Sequence, residues 1–242
     1  MSSSCSRMRP ACIPEAHLGM PIGVVRSVSI KTGKHADRSG VDGALALAGH
    51  GFDGDVHADP LSPRQVLLAS AAVYDECRLP AHALGENLLV DIDTTSLASG
   101  TVLQLGAHMR IRLMFQCEAC GQLDLQRPGL ARAIGNRRGM LARVITSGRV
   151  QVGDTVVQEN ERLPSWSDDW RERVRAVLDA VPPGFVVDYA RLARLAGIQA
   201  SYCRAFPRLL ARLDPHYADK AVPARSASGA TRWDGSGLFG RS

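Results

Sequence analysis

The sequence predicts a mainly β fold: a β-barrel-like domain with few helices, followed by a small α-helical domain of winged-helix-like type. Three observations carry this. Between about residues 20 and 160, short β-branched runs such as "PIGVVRSVSI", "ENLLVDI" and "TVLQLGAHMRIRLMF" are separated by glycine turns. Within that stretch one segment, "SPRQVLLASAAVYDECRL", has a helical period. Beyond "QENERLPSWSDDW" the spacing of apolar residues turns helical.

Taken in order, residues 1–20 are polar and Pro/Ser-bearing, without period, and read as a loose tail. Residues 21–158 form the β domain. In it the helix is expected over the segment with Val66, Leu67, Ala71 and Tyr74 on one face, capped by Ser62 with Pro63 in its first turn. "SGRVQVGD" reads as a hairpin, with Gly148 and Gly153 where turns are wanted. Residues 159–167 are the expected linker, and 168–242 the helical domain. There Ser167 is expected to cap a helix carrying Trp170, Val174, Val177, Leu178 and Val181 on one face. "VPPGFVV" ends it, Asp188 caps "YARLARLAG", and Gly197 stops that helix. "SYCRAFPRLLARL" supplies a third helix, with Arg208 and Arg212 four apart on one face and Pro207 near its start.

Composition narrows the function. A chain of 242 residues with 45% hydrophobic and 22% charged residues is ordinary for a soluble globular protein. Aromatics at 5% argue against stacking platforms for single-stranded nucleic acid. The net charge of +5 is uneven: residues 163–242 carry 12 Lys+Arg against 8 Asp+Glu, and residues 1–162 carry 17 against 16. The last third therefore favours an anionic partner, or presents a solvated basic surface. Six cysteines (5, 12, 77, 117, 120 and 203) have no framework-like spacing, and no apolar run approaches the roughly 18 residues of a spanning helix. The expectation is a cytoplasmic protein with reduced thiols and no membrane partner.

Four stretches carry possible chemistry. "GHGFDGDVH" at residues 49–57 could be a metal site, a phosphate loop or a turn. "FQCEACGQL" holds the closely paired Cys117 and Cys120, which could bind a soft metal, carry sulfur, or be two plain thiols at a strand end. Without a second CxxC or a paired-histidine motif, structural zinc is not expected. Glu86 and Asn87 in "ALGENLLVD" could line a pocket or satisfy turn backbone. Arg137 and Arg138 in "GNRRGML" suit an oxyanion, or a solvated loop.

In sequence order, "GFDGDVH", "SPRQVLL", "GENLLV", "TVLQLGAHMRIRL", Cys120, "NRRGMLARVITSG" and "GRVQVGD" resemble the MOSC family, named for the C-terminal domain of molybdenum cofactor sulfurases. The resemblance implies a β-barrel-like fold and an association with molybdenum cofactor, a molybdopterin. It implies that Cys120 is the catalytic thiol, carrying sulfur or ligating molybdenum. It places Gly54, Asp55, His57, Arg64, Glu86, Asn87, Arg137 and Arg138 around the cofactor. In place of the family's proline-cysteine this chain has Ala119 before Cys120, and Cys117 is additional. The layout, a MOSC domain with a small helical appendage, resembles bacterial proteins that protect against N-hydroxylated base analogues. That implies reduction of an N-hydroxylated small molecule, with electrons from an unidentified donor.

The segment from "WRERVRAVLDAVPPGFVVDYARLARLAG" to "VPARS" resembles the DNA-binding domain of O6-alkylguanine-DNA alkyltransferases and alkyltransferase-like proteins. The resemblance implies duplex DNA binding, with Tyr189 rotating a nucleotide and Arg204 filling the vacated stack. The basic face of Arg208 and Arg212 is expected to attract the phosphates. The acceptor cysteine falls at Ala224, so no alkyl transfer is expected. Two readings follow. In one the chain is a molybdenum-cofactor-binding sulfur carrier or reductase. In the other it is a non-catalytic DNA-damage binding protein with a regulatory or vestigial MOSC module.

Overall fold

The computed structural model describes residues 19–217, 219–225 and 229–240, so the expected N-terminal tail up to residue 18, with Cys5 and Cys12, lies outside the described residues. The chain opens with a long strand, β1 (Gly19–Ile30), followed by β2 (Ser39–Val41), β3 (Gly43–Leu47), β4 (Gly51–Phe52) and β5 (Val66–Ser70). After α1 (Ala71–Cys77) come β6 (Leu88–Val90), β7 (Thr101–Leu105) and β8 (Met109–Gln116). A short α2 (Leu130–Ile134) precedes β9 (Met140–Thr146), β10 (Gly148–Gln151) and β11 (Thr155–Arg162).

Strands β11, β7, β8, β9, β5, β6 and β1 pair in that order, and β1 pairs back with β11, closing a seven-stranded barrel with β2 added at β1. Closure leaves the barrel strands no open edge. Alternate residues point inward: Val25, Val28, Leu103, Leu105, Ile111 and Val144 are buried in the barrel cluster. The mainly β expectation is met.

Two local expectations are corrected. Val66–Ser70 is a strand, not the first half of a helix, and α1 begins only at Ala71. All five strand residues are buried, because Val66 and Leu68 face the barrel interior while Leu67 and Ala69 face packed clusters outside it. A strand covered on both faces loses its alternation, and its continuous apolar run imitates a helix. Ser62 instead closes a turn, its hydroxyl accepting from the Arg64 amide. "SGRVQVGD" turns at Gly153 but is no hairpin: β10 pairs with β3 in a separate three-stranded sheet with β4.

Strand β11 runs to Arg162, four residues into the stretch expected as linker. Beyond it come α3 (Trp170–Ala180), β12 (Phe185–Asp188), α4 (Tyr189–Ala196), a 3-10 turn (Ala200–Arg204) and α5 (Phe206–Leu213). A second 3-10 turn (Pro215–Tyr217) follows α5, and two short strands, β13 (Ala221–Val222) and β14 (Thr231–Arg232), pair parallel with β12 at its two halves. Asp188 caps α4 by accepting from the Arg191 amide, and Gly197 ends it in the left-handed region, as expected. For α3 the cap is Asp169, which accepts from the Arg171 amide, not Ser167, whose hydroxyl accepts from the Asp169 amide. Pro207 stands in the first turn of α5, where its missing N–H has no partner to lose.

These helices pack on the outside of the barrel. Leu67, Met114, Phe115 and Leu141 of the barrel share one apolar cluster with Val174, Leu178, Leu192, Leu195, Phe206 and Trp233. Burial of each such side chain contributes about 1.5–3 kcal/mol. Among the described residues no helix is long and apolar enough to cross a membrane.

Candidate functional site

Where the helical segment meets the barrel rim, two adjoining cavities of 360 and 330 Å³ share Arg64, Arg138, Leu141, Ile198 and Gln199 as walls, and form one cleft. His57, Asn87, Cys117 and Arg38 line its first half. Cys120, Gln122, Trp170 and Tyr202 line its second. The barrel thus supplies one wall and the appended helices the other.

The loop "GHGFDGDVH" frames the first half through Asp55. Its carboxylate is fully buried and accepts from the Lys31 amide (2.9 Å), the His57 amide (2.8 Å), Asn87 Nδ2 (3.0 Å) and Arg38 Nη1 (3.3 Å). His57 Nδ1 lies 2.9 Å from Oδ1, the same oxygen that accepts the His57 amide. Burial alone would raise the Asp55 pKa. The hydrogen bonds from His57 and Lys31, with the Arg38 charge, outweigh it and hold the group at about 2. With Asp55 ionised, His57 Nδ1 carries the proton between them, which leaves Nε2 as the ring's other nitrogen.

Glu86 sits behind the cleft. Tyr74 donates its hydroxyl to one carboxylate oxygen, and His82 Nδ1 lies 3.4 Å from the other. Burial, and then the Glu86 charge, push the Tyr74 hydroxyl far up, so it remains a donor. This network braces the loop that offers the Leu84 carbonyl to Arg138 Nε at 3.3 Å and leads into Gly85 and Asn87.

Arg138 is the link between the halves. Its Nη1 donates to the Glu118 carbonyl at 3.1 Å and to the Cys120 sulfur at 3.2 Å. Cys120 is partly exposed, whereas Cys117 is buried and its thiol is pushed up by that burial. Arg64 donates from Nη1 to the Gly197 carbonyl (3.2 Å), tying the barrel rim to the end of α4. Gly197, at φ +66, permits this approach: a Cβ there would stand 2.7 Å from Pro63 Cγ and 2.9 Å from Phe115 Cζ. A bidentate pair from Arg194 to Asp59 makes a second tie, at 2.6 and 3.0 Å.

Of the residues expected around a ligand, His57, Arg64, Asn87, Arg138 and Cys120 line the cleft. Four do not. Gly54 faces open space, Asp55 and Glu86 are buried supports, and Arg137 turns outward to pair with Glu76. Sequence reading missed Arg38, which carries no local signal in "KHADRSG", and the wall formed by Ile198, Gln199, Trp170 and Tyr202. Trp170 and Tyr202 meet edge to face, with ring centroids 5.1 Å apart. Among the described residues no three His, Cys, Asp or Glu side chains gather so as to hold a metal ion, so Cys120 offers a single soft ligand.

Of the residues expected on DNA, Arg204, Arg208 and Arg212 are exposed at intervals of four along the 3-10 turn and α5. Tyr189 is partly buried, its ring 5.6 Å from Phe206.

Among solved structures, the YuaD protein of Bacillus subtilis matches with a TM-score of 0.50 at 20% identity, over 60% of this chain and 100% of that one. This shows the fold. The chain is also similar to YiiM from Escherichia coli, with a TM-score of 0.47 at 20% identity over 82% of this chain and 98% of that one. YiiM from Geobacillus stearothermophilus gives 0.46 at 17% identity, over 79% and 99%. No curated protein matches the chain. The family model of the MOSC domain matches residues 53–157, the stretch that carries Asp55, His57, Arg64, Asn87, Cys120 and Arg138.

Proposed function

We propose that the protein binds molybdenum cofactor in this cleft, with Cys120 as its functional thiol, and reduces N-hydroxylated small molecules or carries sulfur there. The observation that carries the reading is the Cys120 sulfur in the cleft wall, 3.2 Å from a guanidinium that also lines the other half. The donor set fits the group: a soft sulfur suits molybdenum, and cationic walls suit the phosphate of a pterin cofactor. Neither Arg64 nor Arg138 has a carboxylate partner among the described residues, so both retain charge for an anion. Cys120 would hold the metal centre. Arg38, Arg64 and Arg138 would hold the anionic groups.

When bound, the cofactor supplies two-electron redox chemistry. Reduction of a hydroxylamine to an amine breaks the N–O bond, consumes two electrons and two protons, and releases water, so an electron donor is required. His57, oriented through Nδ1 by ionised Asp55, is the protein group in the cleft suited to take up a proton at Nε2 and, as the imidazolium that Asp55 stabilises, to pass it to the substrate. Trp170, Tyr202 and Ile198 exclude water from one side and present apolar surface to a ring.

The test is direct. Protein from a molybdenum-replete host is assayed for molybdenum by elemental mass spectrometry and for pterin by fluorescence after oxidation. Both are expected to co-purify near one per chain and to be lost in Cys120→Ser. Wild-type protein carrying neither, and acquiring neither from a cofactor donor extract, would overturn the reading.

We also propose that Arg204, Arg208 and Arg212 contact duplex DNA. Arg208 and Arg212 lie four apart on α5, where like charges destabilise the helix, and none of the three arginines has an ion-pair partner among the described residues. A polyanion would supply the missing counter-charge.

A further inference from the structure

A cavity larger than the cleft lies elsewhere on the barrel. It measures 1120 Å³ and lies between the outer face of β8 and β9, the segment 163–167, helix α3 and residues 238–240. One side is apolar, with Leu163, Trp166, Leu238 and Phe239; the Trp166 and Phe239 rings lie 5.3 Å apart. The other side holds Arg112 and Arg173, both about 5% exposed or less.

Neither arginine forms an ion pair with a carboxylate among the described residues. Arg112 donates from Nη1 to the Phe239 carbonyl at 3.4 Å and from Nη2 to the Pro164 carbonyl, while its Nε has no partner among the described residues. Arg173 donates to the carbonyls of Ser167, Asp168 and Ala196. The two carboxylates on the cavity wall are already engaged: Glu161 with Arg110, and Glu172 with Arg175. Glu118, Asp168 and Asp169 offset part of the Arg173 charge, and its guanidinium lies over the Phe115 ring at 3.7 Å. For Arg112 the carbonyl dipoles satisfy hydrogen bonds but leave the net charge uncompensated, and a buried charge without a counter-charge is costly. Burial depresses the Arg112 pKa with no opposing acidic group.

We propose that this cavity is a second binding site, for a small organic anion with an apolar body, whose charge answers Arg112 and whose body lies against Trp166, Leu163 and Leu238. The site is separate from the cysteine cleft. Arg173 alone lines both, so an occupant here touches the residue that holds the Ala196 carbonyl at the end of α4.

The probe is 4-phenylbutanoate, titrated calorimetrically into the full chain beside its neutral counterpart 4-phenylbutan-1-ol. A single charge-assisted contact makes the carboxylate about tenfold the tighter binder. In Arg112→Met that preference should disappear, with affinity for the alcohol retained. Ala176→Trp, on the exposed cavity-facing side of α3, should weaken both ligands and serves if Arg112→Met does not fold. Equal affinity for acid and alcohol in the wild type, or full affinity in folded Ala176→Trp, would overturn the proposal. So would a dimer in light scattering that Ala176→Trp dissociates, which would assign the cavity to a second copy of the chain.

Discussion

Arg138 donates one guanidinium nitrogen to the sulfur of Cys120, 3.2 Å away, while its Nε holds the Leu84 carbonyl on the opposite lip of the cleft. The residue is therefore both a wall and a brace. It joins the loop after β8 to the loop before β6, and each of these loops brings a residue of the site.

Arg138→Ala should reduce the content of pterin and molybdenum in purified protein by about tenfold or more, since a charge-assisted hydrogen bond contributes about 1.5–3 kcal/mol. Arg138→Lys should recover part of it, because a point charge replaces the fork without its second bond. Melting temperature is the control. A well-folded Arg138→Ala protein with wild-type cofactor content would remove Arg138 from the anion site.

The two cysteines should separate by reactivity. Cys117 is buried and its thiol is pushed up by burial, while Cys120 is partly exposed in the cleft wall. Iodoacetamide at pH 7.5 should label Cys120 at least tenfold faster than Cys117, as read by peptide mass spectrometry. Cys117→Ser should keep most cofactor binding and Cys120→Ser should lose it. Equal losses from both would indicate a dithiol site.

Asp55 should show itself in acid stability. Its folded pKa of about 2 lies below the ordinary 3.8, so its contribution is fully present above about pH 4 and is lost as pH falls toward 2. The shift corresponds to about 2 kcal/mol for this fully buried side chain. Asp55→Asn should therefore lower the urea midpoint at pH 7 and flatten the acid limb between pH 4 and 2. Parallel acid limbs for wild type and variant would mean that Asp55 is not the group titrating there.

The resemblance and the residue patterns together made the barrel legible because glycine turns and β-branched runs report local geometry. The cleft was only half legible. His57, Arg64, Asn87, Arg138 and Cys120 stand in short motifs, and each lines the cavity. Arg38 does not, because its place depends on β1 and β2 pairing to bring it over Asp55. The second wall depends on how α4 docks, and docking turns on Gly197 meeting Pro63 and Phe115, 82 residues or more away along the chain. Glu86 and Asp55 belong to the same motifs but lie buried behind the cleft wall. A motif records that a polar residue is required, and the requirement is the same for a brace as for a ligand.

The basic stripe gives the last prediction. Arg204, Arg208 and Arg212 are exposed, and no carboxylate pairs with them among the described residues. If these three meet phosphates, the affinity of the full chain for a short duplex should fall with salt at a log–log slope of about −2.7, from roughly −0.9 per phosphate. Replacing all three by Gln should reduce that slope by the same amount, whatever the DNA sequence, and leave the melting temperature unchanged or higher, since like-charge repulsion along the helix is relieved. A damage preference is a separate matter. It would require Tyr189 to leave its packing on Phe206 and reach a base, so Tyr189→Phe and Arg204→Ala should lessen any preference for an O6-methylguanine duplex over an intact one. Equal binding to both duplexes in the wild type would reduce the surface to phosphate recognition. A salt slope unchanged by the triple substitution would remove the stripe from DNA binding altogether.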